Sequence, residues 1–440
     1  MNRNKIQKKN IFFGMTFKGL SIFLNFVLVP ILIFFLGKVE YGVWITVFSI
    51  TNWIFTFDLG IGQGLRNKLT ESLSENNSKK ASKVISTAYI FISIFSLVLL
   101  LLGALIISFI DFQSLFNYYG KSSSYLQDFV FLSLIFTILN FILSLYKKLY
   151  LAIHKSYFVE LINVFFQTLF LVTILLWSYF ELNESLINLI LIYGLINFFV
   201  SIFATFVFFK LKKIINFSFK NFSKKEGKSL FGLGGQFFII NISLLVILST
   251  DNLIISKMLG PEYVTDYSTI QKVFQFLIVI FTVFISSSWS LYSEALFKKD
   301  YNWIRANLKK MKLYYLVIVF LGVVLFVFIQ QILNIWIGED VVSIPKGLAL
   351  TSLLYSLVFC FTNIYMFFIN ATNKISIQMY LYVFGAIINI PLSIYLVNLI
   401  GTSTGVILAT IICVIPLLIV MPIQANFLLK KLETKTVKNL

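Results

Sequence analysis

The sequence predicts an all-α polytopic membrane protein with about 12 transmembrane helices in two six-helix lobes related by internal pseudo-symmetry. Three observations carry this. Of 440 residues, 59% are hydrophobic and 12% charged, and the mean hydropathy is +0.91, which excludes a soluble globular chain. The apolar residues collect in runs of about 20–27, enough to cross a ~30 Å hydrocarbon slab at a rise of 1.5 Å per residue. The opening of the chain also recurs in its second half.

That opening is a hairpin. The only charge in 11–36 is Lys18 and the only charge in 41–65 is Asp58, with Gly37-Lys38-Val39-Glu40 between the arms. Both charges stand about 20 residues from the centre of the turn, so they sit at matching depth on adjacent helices. In the second half, 230–256 and 268–296 flank 257–267, and Asp251 and Lys272 lie about 10 residues either side of that centre, where they can meet. Leu36-Gly37 followed by Glu40-Tyr41 matches Leu259-Gly260 followed by Glu262-Tyr263. A shift of about 223 residues places Gly37 on Gly260 and Glu71 on Glu294, which predicts a duplicated architecture.

In order, the spans are about 11–36, 41–65, 84–110, 128–146, 157–180, 186–209, 230–256, 268–296, 314–336, 347–370, 377–398 and 404–424. They divide the chain into a lobe at 1–209, a basic linker at 210–229, a second lobe at 230–424 and a basic tail at 425–440. With the N-terminus inside, inner segments collect most of the basic residues, among them Arg66, Lys147, Lys148 and Lys210. Outer segments keep only Lys38, Lys121, Lys257 and Lys346. This bias predicts that both termini are cytoplasmic. The formal charge of +18 therefore reads as topology, with attraction to anionic lipid second, and not as nucleic-acid binding. Segments 66–83 and 298–312 follow the second span of each half, and read either as short surface helices on the inner leaflet or as solvated loops.

Metal and cofactor chemistry find no ligands here. His154 is the only histidine, and Cys360 and Cys413 lie far apart inside apolar runs. The first apolar run is too long for a signal-peptide core and no small-residue cleavage site follows it, so the first helix is expected to stay. The outer segments are short and leave no room for an extramembrane active site.

Charges inside spans face a cavity or a partner. Lys18 either snorkels to the inner interface or serves a site, while Asp58 is too short to snorkel and pairs or lines an aqueous cavity. Asp251 and Lys272 read as an interfacial ion pair or as functional groups. Arg66 closes Asp58-Leu59-Gly60-Ile61-Gly62-Gln63-Gly64-Leu65-Arg66, where three glycines permit close helix approach and the guanidinium can meet a phosphate at headgroup level. Lys18, Asp58, Arg66 and Lys272 are thus candidates for substrate contact. Asn389 and Ser393 are i, i+4 beside Pro391. With Asp251 and Asn241 they form a candidate site for H⁺ or Na⁺, against the plainer reading of hydrogen bonds between helices.

The turn Leu36-Gly37-Lys38-Val39-Glu40-Tyr41-Gly42, the run from Asp58 to Lys68 and the 6+6 division resemble polysaccharide flippases of the O-antigen exporter type. These belong to the multidrug/oligosaccharidyl-lipid/polysaccharide superfamily. The resemblance implies two lobes forming a V around a central cavity that opens alternately to each face of the bacterial inner membrane. It implies passage of an undecaprenyl-diphosphate-linked oligosaccharide to the outer leaflet, driven by an ion gradient. Expected partners are that lipid-linked glycan, membrane lipids, H⁺ or Na⁺, and glycan polymerase and chain-length proteins in the same membrane; no cofactor is implied. A small-molecule antiporter shares this architecture but favours buried acids over buried bases. A membrane glycan polymerase or ligase needs the large external loop that this chain lacks.

Overall fold

The computed structural model describes residues 3–57, 60–153, 155–211, 217–230, 235–286, 288–372 and 374–437. They are mostly helical, with no strand among them. The chain forms two compact units, residues 1–238 and 239–440. Unit 1 holds α1 (Arg3–Thr51), a 3-10 turn (Asn52–Phe57), α2 (Ile61–Ser74), α3 (Ser78–Phe109), α4 (Phe112–Phe116), α5 (Ser123–Leu143), α6 (Leu145–Ala152), α7 (Ser156–Tyr179), α8 (Leu186–Leu211) and α9 (Lys224–Leu230). The rest of the chain builds α10 (Gly235–Ser249), α11 (Asp251–Met258), α12 (Pro261–Ser286), α13 (Ser288–Lys298), α14 (Tyr301–Val327), α15 (Ile329–Trp336), α16 (Leu348–Ala371), α17 (Ser376–Ile400) and α18 (Thr404–Val437).

Ten stretches among the described residues are long and apolar enough to cross a membrane. The first, Phe12–Phe57, has 46 residues and turns at Gly37 (φ 75°, ψ 162°), so it supplies two crossings. Helix α12, with 26 residues, brings the number to the twelve expected. Gly260 also has a positive φ, 123°, where only glycine escapes a Cβ clash. The offset between Gly37 and Gly260 is repeated between the first residues of α3 and α14, Ser78 and Tyr301. Both hairpins therefore turn on the same backbone device.

Of the two readings of segment 66–83, the structure shows a short helix and not a loop. It is divided between α2 and the start of α3, and Ile61, Leu65 and Leu69 of α2 are buried in the core of unit 1 with Val84, Ile85, Leu149 and Tyr150. Asn77 caps α3 by accepting from Lys80 N. At the exposed corner, Lys80 and Lys68 hydrogen-bond Glu71 at 2.8 and 3.0 Å and hold its carboxyl at about 2. The folded value lies below the unfolded one, so this contribution is present above about pH 4.5 and lost as pH falls towards 2. The melting-temperature difference between wild type and Glu71→Gln is therefore expected to stay constant from pH 7 to 5 and to shrink below about 4.5. Segment 298–312 forms no separate surface helix. After a cap in which Asp300 accepts from Trp303 N, residues 301–312 are simply the first turns of α14.

The described part of the basic linker is fastened to unit 1. Ser218 N donates to Ser86 Oγ at 3.1 Å and Ser223 N to Thr87 Oγ1 at 3.0 Å. Phe217 meets Tyr89, Phe222 meets Phe91, and Gly227 lies so close to Phe91 that a Cβ would stand 2.4 Å from its ring. Replacing Ser86 with Ala and Thr87 with Val together leaves two half-buried N–H groups unpaired, at about 1 kcal/mol each. A fall of a few degrees in melting temperature is expected, and an unchanged value would mean that water serves these groups equally well.

Candidate functional site

The seventh span runs over Phe238–Met258. Thr250, between α10 and α11, keeps helical dihedrals and bonds back to Val246 O at 2.7 Å. Asp251, only 1% exposed, follows it within membrane depth. Tyr267 Oη donates to Asp251 Oδ2 at 2.6 Å, whereas Oδ1 is buried with no hydrogen-bond partner among the described residues. An unmatched carboxylate oxygen inside a membrane protein is costly unless something else occupies it.

Two further spans bring oxygens to the same place. Asn389 and Ser393 of α17 are both fully buried, on one face of the helix. Asn389 Nδ2 donates to Thr410 Oγ1 of α18 at 3.2 Å, and Thr410 Oγ1 donates to Ile247 O, at the end of α10, at 3.5 Å. Asn389 Oδ1 and Ser393 Oγ find no partner among the described residues. Pro391 lacks an N–H, which frees the carbonyl four residues before it, Ile387 O. Cys413 lies in reach of Asn389 and in the field of Asp251, which ties α11 to α17 and α18. Helices α11, α17 and α18 contact one another and carry buried carboxylate, amide and hydroxyl oxygens, groups of the kind that bind a hard cation or, at the carboxylate, a proton.

The expected residues divide under this geometry. Asp251, Asn389 and Ser393 are all buried, on helices that contact one another. Asn241 does not join them, because it is exposed on α10, about 15 Å of helix away from Asp251. Asp251 pairs with Tyr267 and not with Lys272, because the turn is tighter than 257–267: α11 ends at Met258 and α12 starts at Pro261. The half-buried Lys272 lies about 7 Å further along α12 than Tyr267. Lys18 is 55% exposed with Nζ 3.8 Å from Glu160 Oε2, and Arg66 is exposed on α2. Asp58 lies outside the described residues. Two residues beside these groups carry no strong sequence signal, Thr410 and Tyr267, which look like ordinary span residues.

The fold defines an all-helical, polytopic membrane protein. It is similar to an inward-facing multidrug-resistance MATE transporter of the MOP superfamily, with a TM-score of 0.79 at 14% identity, covering 94% of this chain and 96% of that one. It is also similar to MATE in the straight conformation, with a TM-score of 0.65 at 14% identity, over 98% and 96%. Residues 7–290 match the sequence profile of the family described as Polysaccharide biosynthesis protein, and the chain belongs to that family. Residues 237–395 match the MatE profile. Similar relatives include a putative O-antigen export protein of Yersinia pseudotuberculosis, 24% identical over 81% of both chains. A putative O-antigen transporter of Salmonella typhimurium is 23% identical over 87% of both.

Proposed function

We propose that this protein is a flippase that moves an undecaprenyl-diphosphate-linked oligosaccharide from the cytoplasmic to the outer leaflet by alternating access, driven by H⁺ or Na⁺. Both termini are cytoplasmic in this reading, on the strength of the lysine and arginine bias. Family membership and relatives named for O-antigen export support the cargo. A diphosphate and a sugar chain cannot enter hydrocarbon without replacement hydrogen bonds, which is the physical need such a protein meets.

The observation that carries the coupling is the buried, half-matched Asp251 among unpartnered oxygens of α17 and α18. An ionised carboxylate there is unfavourable without a positive partner, and a cation or proton neutralises it. Occupancy therefore favours the packed arrangement of α11, α17 and α18, and departure of the ion favours one in which water reaches the carboxylate. The MatE match spans Asp251, Asn389 and Ser393, which supports a coupling element held in common with small-molecule antiporters. The longer match, over 7–290, supports glycan cargo.

The test uses cells lacking their own flippase, read by surface glycan display and by build-up of lipid-linked oligosaccharide in the inner leaflet. Wild-type protein is expected to restore display and clear the build-up. Failure to do so with the matched glycan, at normal membrane abundance, sinks the flippase reading.

A further inference from the structure

In unit 2, α14 and α18 both pack on α16. A side-chain clasp joins the start of α14 to the end of α18: Arg305 donates to both oxygens of Glu433, at 2.9 and 2.7 Å. The two side chains point at each other, so the helix faces that bear them border a common cleft. Lys312 Nζ of α14 lies 5.6 Å from the ring centre of Tyr365, which places α16 at the floor of that cleft. Glu433 is the only carboxylate in α14, α16 or α18, and the clasp takes both its oxygens.

Away from the clasp, the two faces change character at the same depth. On α14, Lys309 and Lys312 follow Arg305 on one face, after about 6 and 10 Å of rise, and Leu316 and Phe320 come next. On α18, which runs towards the clasp, Lys430 and Asn426 precede Glu433 by about 4 and 10 Å, with Ile423 and Ile419 beyond them. The lysines and the asparagine are exposed, and so are the four apolar residues, by 57–67%. The cleft is therefore open along its length. Its polar end carries three ammonium groups and an amide, with no free carboxylate to balance them, and its other end is hydrocarbon. A free anion would satisfy the first part and leave the second bare. An anionic phospholipid satisfies both, and each lysine near a negative leaflet adds about 1 kcal/mol of attraction.

We propose that this cleft binds an anionic phospholipid of the phosphatidylglycerol class, with its phosphate among Lys309, Lys312 and Lys430 and its acyl chains along the apolar rows of α14 and α18. The Arg305–Glu433 clasp closes the polar end and sets the distance between the lysines of the two helices. On the orientation read from the lysine and arginine bias, the lipid comes from the inner leaflet. Neither the cargo nor the coupling ion enters the inference. Nanodiscs expose both faces of the protein, so its test does not depend on the orientation either.

The full-length protein in phosphatidylcholine nanodiscs is titrated with phosphatidylglycerol, and lipid-bound protein released from the discs is counted by native mass spectrometry. Wild type is expected to hold phosphatidylglycerol about 10-fold or more tighter than phosphatidylcholine, by a margin that shrinks as salt rises. Lys309→Gln, Lys312→Gln and Lys430→Gln together are expected to abolish this preference, while arginine at the same three positions keeps it. Lys79→Gln, Lys83→Gln and Lys220→Gln remove the same charge from exposed lysines of unit 1 and are expected to leave the preference intact. Melting temperatures in phosphatidylcholine discs show which variants are folded. Should the first triple variant unfold, Lys430→Gln alone takes its place, with an expected loss of about 5-fold. Equal losses in the two triple variants would mean undirected surface charge and overturn the proposal, as would a wild type that does not distinguish the two phospholipids. Competition by inorganic phosphate overturns it in favour of a free-anion site. Displacement by less undecaprenyl diphosphate than phosphatidylglycerol overturns it in favour of the cargo.

Discussion

Asp251→Asn is expected to lower gradient-driven flipping by about 100-fold, equivalent to about 2.7 kcal/mol for a charge-assisted contact in a buried site. Asparagine has nearly the same shape and keeps an oxygen to accept from Tyr267 Oη, which now bonds Asp251 at 2.6 Å. It stays neutral whether or not an ion is present, so the packed arrangement no longer distinguishes the two conditions. Stability is expected to hold or rise, because a buried carboxylate with one unmatched oxygen is gone. The measurement is flipping in proteoliposomes under an imposed Na⁺ or pH gradient, with the melting temperature as control. Flipping by Asp251→Asn that still follows the gradient at wild-type strength would remove Asp251 from the coupling. Which of the two gradients drives the wild type identifies the ion.

The second large effect is on stability. A Cβ built at Gly405, near the start of α18, would stand 2.6 Å from Val397 N and 2.7 Å from Leu396 C on α17. These are backbone atoms, which cannot rotate aside as a side chain can. Gly405→Ala must push α18 away from α17 or distort both, at about 3 kcal/mol, the upper part of the range for overpacking. A fall in melting temperature of about 5 °C or more is expected, with reduced membrane abundance. Gly14→Ala is the internal control. Nothing lies within 4 Å of its added Cβ, and alanine in a helix interior favours the fold by about 0.5–1 kcal/mol. Equal behaviour of the two variants would show that α17 and α18 have slack at their junction. Because Asn389 meets Thr410 across that same helix pair, Gly405→Ala is also expected to weaken ion coupling.

The spans and the paired turns were legible in the sequence because hydrocarbon thickness and positive-φ backbone leave few alternatives. Long apolar runs must cross, and Gly37 and Gly260 occupy conformations that other residues reach only with strain. The i, i+4 pair Asn389 and Ser393 was legible for a similar reason, since helical spacing alone sets them on one face. What one sequence does not display is which helix end stops where. A turn of two residues in place of eleven moved the partner of Asp251 from Lys272 to Tyr267. Thr410 was invisible because threonines in apolar helices usually bond only to their own backbone.

The duplicated hairpins differ at one matched position. Nine residues before Gly260 stands Asp251, and nine before Gly37 stands the buried Leu28. The first unit instead surrounds Tyr193 with Trp44, Phe48, Phe166 and Phe170, all within 5.8 Å. On the coupling reading, the described residues then offer one ion-binding carboxylate per chain. On that reading, one monovalent charge crossing 100 mV contributes about 2.3 kcal/mol to each transport cycle, beside the ion's concentration gradient.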